Sequence, residues 1–124
     1  LILEILMGLE IYNQQAATTE DPYMLILKLY EGLLKYLSFV EDAINSGNVE
    51  EKFEYINRAI AIFDELRNIL DFEGGDVAYY LDGLYLYQIE TLFSAGVDSN
   101  LSAIAQVKKV VTGLIEAWKE ETGL

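Results

Sequence analysis

The stretch LSAIAQVKKVVTGLIEAW, residues 101–118, decides the fold. Leu101, Ile104, Val107, Val111, Leu114 and Trp118 recur at spacings of three and four, which places them in one stripe along an α-helix and leaves the opposite face polar. A helix with one apolar stripe must bury it against other elements, and the chain upstream supplies three more helical segments. Asp98, Ser99 and Asn100 are alternative N-caps for this last helix. Before it, a third helix opens at or near Asp76, just after the Gly74-Gly75 break, and ends around Ala95 and Gly96. A second helix reaches to about Leu70 and is opened by Asn48 with Glu51 three residues on, a capping-box spacing. Ser46 and Gly47 close the first helix, which begins at Pro22 behind the cap Asp21 and runs to about Asn45. The three connections are short, so consecutive helices are expected to lie antiparallel. The expected fold is an all-α, up-down-up-down four-helix bundle over residues 21–124, preceded by a leader of residues 1–20.

Composition narrows the chemistry. The chain has 124 residues, one domain's worth, with 52% hydrophobic residues and a single proline, as a folded helical domain requires. It has neither cysteine nor histidine. That removes disulfides, thiolate nucleophiles, the usual neutral-pH acid–base and the usual transition-metal ligands, so no catalytic, cofactor-binding or metal-binding residue is assigned. A net charge of −13 opposes binding to phosphate backbones and anionic membranes, and Leu1–Met7 is too short to span a bilayer. The expectation is a cytoplasmic, non-enzymatic protein without nucleic-acid binding or membrane insertion.

The helices carry more apolar surface than one core needs. In the first, Leu25, Ile26, Leu29, Tyr30, Leu33, Tyr36, Leu37, Phe39, Val40 and Ile44, extended by Tyr23, Leu27 and Leu34, cover an arc of about 240° where a surface helix needs about 100°. In the second, a seam of Phe53, Ile56, Ile60, Phe63 and Leu70 reads as core, leaving a row of Tyr55, Ile62 and Ile69. In the third, Val77, Leu81, Leu84, Tyr85, Ile89 and Leu92 read as core, leaving Tyr79, Leu86 and Phe93 in one row and Tyr80 and Tyr87 in another. Rows spaced at seven suit a partner helix lying in a groove, and tyrosine tolerates water before a partner arrives. The candidate partner-binding residues are therefore Leu25, Leu29, Tyr36, Tyr55, Ile62, Ile69, Tyr79, Tyr80, Leu86, Tyr87 and Phe93, with Tyr12 in the leader. The same rows could instead form a permanent homo-oligomer.

Other features have structural readings. Asp71, Glu73, Asp76 and Asp82 gather near the double glycine, but their spacing is not that of a calcium loop, so they read as turn and cap residues. Gly32 and Gly83, inside helices, are expected at close helix contacts. Trp118 reads as core and Tyr30 as mostly structural.

Specific words then add a family resemblance. Pro22-Tyr23-Met24-Leu25-Ile26-Leu27-Lys28-Leu29-Tyr30-Glu31-Gly32 resembles the opening of the flagellar secretion chaperone family FliS. Asn57, the run from Ile69 to Ala78, Leu81-Asp82-Gly83-Leu84-Tyr85 and Leu114-Ile115-Glu116-Ala117-Trp118 are similar to its later helices, in order. The resemblance implies a cytosolic chaperone without catalysis. It would bind the disordered C-terminal segment of flagellin, prevent its polymerisation and hand it to the type III export gate, with a co-chaperone as a further candidate partner. In the family's leader pattern, Tyr12 matches the second of two aromatic positions, whereas Leu9 occupies the first. Leu1–Leu6 is unusually apolar and Met7 is a candidate natural start. The leader, residues 1–12, is expected to dock on the chain's own groove or on a neighbour's.

Overall fold

The computed structural model describes residues 21–124, and the expectations for the leader, Tyr12 among them, lie outside the described residues. Among the described residues four helices follow one another, α1 (Pro22–Ser46), α2 (Val49–Asn68), α3 (Asp76–Asp98) and α4 (Leu101–Thr122), with a 3₁₀ turn at Phe72–Gly74 between α2 and α3. No strand occurs among the described residues.

The helix boundaries follow from local chemistry. The Asp21 carboxylate accepts a hydrogen bond from the Tyr23 amide at 2.9 Å, and Pro22 fills the first position, where its missing donor is not needed. Gly47 ends α1 in the left-handed region (φ 72°), and the next amide, of Asn48, donates back to the Ala43 carbonyl at 2.9 Å. That amide is thereby occupied, so the expected capping box at Asn48 is one-sided: its side chain accepts from the Glu51 amide at 3.1 Å. Between α2 and α3, Gly75 sits at φ 128° and ψ −163°, a backbone region essentially closed to residues with a Cβ. Of the alternative caps for α4, Asn100 takes the role, accepting from the Ala103 amide at 3.1 Å.

Two expected boundaries shift. Helix α2 stops at Asn68 rather than Leu70, and α3 runs past Gly96 to Asp98. Gly96 is not a terminator. A methyl group there would lie 3.0 Å from Ile56 Cδ1 and 3.1 Å from Phe53 Cε1, so the glycine lets α3 approach α2. The stop is made by Ser99 in the left-handed region (φ 50°), whose hydroxyl accepts from Lys52 Nζ at 2.8 Å.

Cross-helix pairs fix the topology. Tyr36 stacks on Tyr55 and Gly32 faces Ile62, so α1 and α2 run in opposite directions. Arg67 bonds Asp82 while Lys52, at the other end of α2, reaches Ser99 just past α3, so these two are also antiparallel. The Trp118 indole donates to the Tyr23 carbonyl at 2.8 Å and Lys108 pairs with Glu41 at 2.7 Å, which sets α4 antiparallel to α1 and closes the square. This is the expected four-helix bundle.

Its core is drawn from all four helices, with Leu33, Leu37, Val40, Phe63, Leu92, Ile104, Val107 and Val111 fully enclosed. Tyr30 and Tyr85 meet across the centre, hydroxyl to hydroxyl at 2.7 Å, and Phe63 lies against Tyr85. Both Tyr30 and Trp118 are buried, as their structural readings required. Phe53 and Leu101, expected in the core, are instead more than one third exposed; Phe53 lies near the start of α2 and Leu101 is the first residue of α4.

Candidate partner-docking surface

The sequence of α3 dictates an unusual helix. Ala78, Leu81, Tyr85, Gln88, Ile89, Leu92 and Ala95 form one buried face. The remaining face, which ordinarily would be charged, carries Tyr79, Tyr80, Leu86, Tyr87, Phe93 and Val97 instead. Tyr79, Tyr80, Tyr87 and Phe93 are 63%, 69%, 66% and 61% exposed, far above what packing within the chain produces. At the start of this face Phe72, from the 3₁₀ turn, lies against the Tyr79 ring with centroids 4.9 Å apart. Near its end, Glu90, Phe93, Ser94, Val97 and Asp98 line an open depression. Phe53 and Val49 of α2, both exposed, flank that end, since Phe53 packs beside Gly96. From Tyr79 to Val97 the row spans about 27 Å at 1.5 Å per residue, the length of a medium partner helix.

The sequence-derived candidates divide into three groups. Tyr79, Tyr80, Leu86, Tyr87 and Phe93 come together on the outer face of α3. Leu25, Leu29, Tyr36, Tyr55 and Ile62 are half-buried and packed on the core. Their surplus is largely consumed at the α1–α2 seam, where Tyr36 and Tyr55 stack at 6.0 Å, Phe39 lies 4.9 Å from Tyr55, and a methyl at Gly32 would sit 3.3 Å from Ile62 Cδ1. The wide arc of α1 thus reflects a helix covered by α2 on one side and α4 on the other. Ile69 does not belong to an exposed row. It is 3% exposed, because α2 ends one residue before it and the chain turns Ile69 and Leu70 into the core.

Sequence reasoning missed Val97, Phe53, Val49 and Phe72. Val97 lies four residues after Phe93 and continues its row, but a helix expected to end around Gly96 excludes it. Phe53 was absorbed into the expected core seam.

Polar groups around this surface are committed to structure rather than chemistry. Asp82 holds Arg67 at 2.8 Å and helps keep that guanidinium above its ordinary pKa. Asp71 caps the 3₁₀ turn through the Glu73 amide at 3.0 Å. Among the described residues no cluster of acidic side chains is arranged to hold a metal ion. Burial raises the Tyr85 hydroxyl pKa well above the ordinary value and pushes that of Tyr30 up to about 12, so both stay neutral at ordinary pH. Helix α3 contains Asp76, Asp82, Glu90 and Asp98 but no lysine or arginine. Its outer face is therefore apolar and acidic together.

Known proteins share this chain's sequence over most of its length. Residues 8–122 match the family described as Flagellar protein FliS. The chain is 43% identical over 110 residues to the flagellar secretion chaperone FliS of Campylobacter jejuni, covering 88% of this chain and 86% of that protein. It is 33% identical over 119 residues to the same-named chaperone of Salmonella typhimurium, covering 91% and 88%. With that of Bacillus subtilis it shares 29% over 109 residues, covering 88% and 81%. The chain belongs to the FliS family of flagellar proteins.

Proposed function

We propose that this chain is a cytoplasmic flagellar secretion chaperone, not an enzyme, that holds the disordered C-terminal segment of flagellin on the outer face of α3. The observation that carries the reading is that face: Tyr79, Tyr80, Leu86, Tyr87, Phe93 and Val97 exposed on one helix. Covering them recovers roughly 1–2 kcal/mol per side chain, given their present exposure. Ordering a disordered segment costs about 2–5 kcal/mol or more, so a segment that covers most of the row binds with a net gain. Masking the flagellin tail in this way would prevent premature polymerisation and deliver it to the type III export apparatus. The export gate and a co-chaperone are further partners in this reading. Among the described residues no helix is long and apolar enough to cross a membrane.

The alternative, a permanent homo-oligomer through the same rows, would press two acidic copies of α3 together. Isothermal titration with the flagellin C-terminal segment, paired with sedimentation of the free chain, separates the two. Binding with a stoichiometric endpoint is expected; a stable oligomer that ignores the segment would refute the chaperone reading. The apolar leader, residues 1–12, would compete for this face on its own chain or a neighbour's, with Tyr12 as its aromatic contact. Removing residues 1–12 should tighten binding, and an unchanged affinity would remove the leader from the scheme.

A further inference from the structure

Gly83 lies in the interior of α3, on its exposed side, and a methyl group there would touch no side chain of the described residues within 4 Å. The sequence-based expectation of a tight helix contact therefore fails for Gly83, although it holds for Gly32. Glycine inside a helix is destabilising relative to alanine, and among the described residues no contact at Gly83 offsets that loss. Its surroundings are specific. Tyr79 and Tyr80 stand one turn before it and Leu86 and Tyr87 one turn after, so the missing side chain leaves a notch ringed by exposed apolar groups.

We infer that Gly83 is the specificity-determining notch of the α3 face, the point where a bound helix comes closest and seats one large aliphatic side chain between the two tyrosine rows. The inference rests on the chaperone reading and adds the chemistry of the segment that fits. The segment is an amphipathic helix with an apolar stripe at spacings of three and four, about as long as the 27 Å row at 1.5 Å per residue. Lysine or arginine flanks that stripe, because α3 offers Asp76, Glu90 and Asp98 and no basic residue. The same charges disfavour a second copy of this chain as occupant.

Gly113 provides an internal control. It too lies within a helix, on the exposed side of α4, and has open space around it, but its neighbours one turn away include Lys109 and Glu116 rather than an apolar ring. The test is a fluorescence titration of a labelled flagellin C-terminal peptide with the parent chain, Gly83→Ala, Gly83→Gln and Gly113→Ala, each also unfolded in urea. Both alanine variants should shift the urea midpoint upward. Gly83→Ala should weaken binding several-fold and Gly83→Gln at least tenfold, while Gly113→Ala binds as the parent does. Parent-like binding by Gly83→Gln would overturn the notch and leave the chaperone reading standing. Failure of the parent chain to bind would overturn both. Sedimentation of the free chain as a dimer that Gly83→Gln dissolves would replace the partner helix with a second copy and refute the inference as stated.

Discussion

Replacing either tyrosine of the buried central pair by phenylalanine is expected to destabilise the bundle more than replacing both. The hydroxyls of Tyr30 and Tyr85 meet at 2.7 Å, and the two residues are 2% and 1% exposed. Removing one hydroxyl leaves the other buried without its partner, which costs about 2 kcal/mol within a usual range of 1–3. Removing both leaves two phenylalanines in a site already lined by Phe63, and the double variant should lose about 1 kcal/mol or less. The coupling in the cycle is then about 3 kcal/mol, at the upper end for residues in contact. Urea denaturation of the parent, Tyr30→Phe, Tyr85→Phe and the double variant measures it. With a slope of about 1.5 kcal/mol per molar, each single variant should lose about 1.3 M in midpoint, and the double variant less than either. Additive effects, with the double variant losing twice what a single one does, would refute the view that these hydroxyls satisfy each other.

The same pair sets an alkaline limit. Burial pushes Tyr30 up to about 12 and Tyr85 well above its usual value of 10, so between pH 10 and 12 the unfolded chain releases protons that the folded chain keeps. Stability is full below pH 10 and falls through that window, by about 3 kcal/mol from Tyr30 alone, and this part of the decline should vanish in the double phenylalanine variant. Tyr87→Ser and Phe93→Ser, on the exposed face, should each leave the thermal midpoint within a degree or two yet weaken flagellin-segment binding by about tenfold, since roughly 1–2 kcal/mol of burial is lost; a lowered midpoint with intact binding would place them in the fold instead. Trp118→Phe should cost about 1 kcal/mol in chemical denaturation by removing the indole donor to the Tyr23 carbonyl, which keeps its place in the α1 ladder. Gly96→Ala should destabilise by about 1 kcal/mol net, because crowding the buried Ile56 costs more than the helix propensity gained, whereas a stabilised variant would show that α2 can move aside.

Much of the fold was legible because its signals are local. The stripe of α4, the Asp21-Pro22 start, the Gly47 stop and the Asn48 cap each depend on residues within a few positions of one another, and short-range geometry made them readable. Gly96 and Gly83 show where local reading ends. A glycine near the end of an apolar pattern looks like a terminator, yet Gly96 is there for Ile56 and Phe53, forty and more residues away in sequence. Gly83 looks like a packing glycine and faces open space.

By itself the sequence determined that this protein is an all-helical bundle with surplus apolar rows and no catalytic chemistry of the usual kinds, since periodicity, capping and residue type act along the chain. Only the tertiary structure decided which rows were surplus. Whether a side chain remains exposed depends on which helix lies beside it, and α1 and α2 spend their extra rows on each other while Ile69 turns into the core. Among the described residues no other helix covers the outer face of α3, so its tyrosines and Phe93 stay exposed around Gly83.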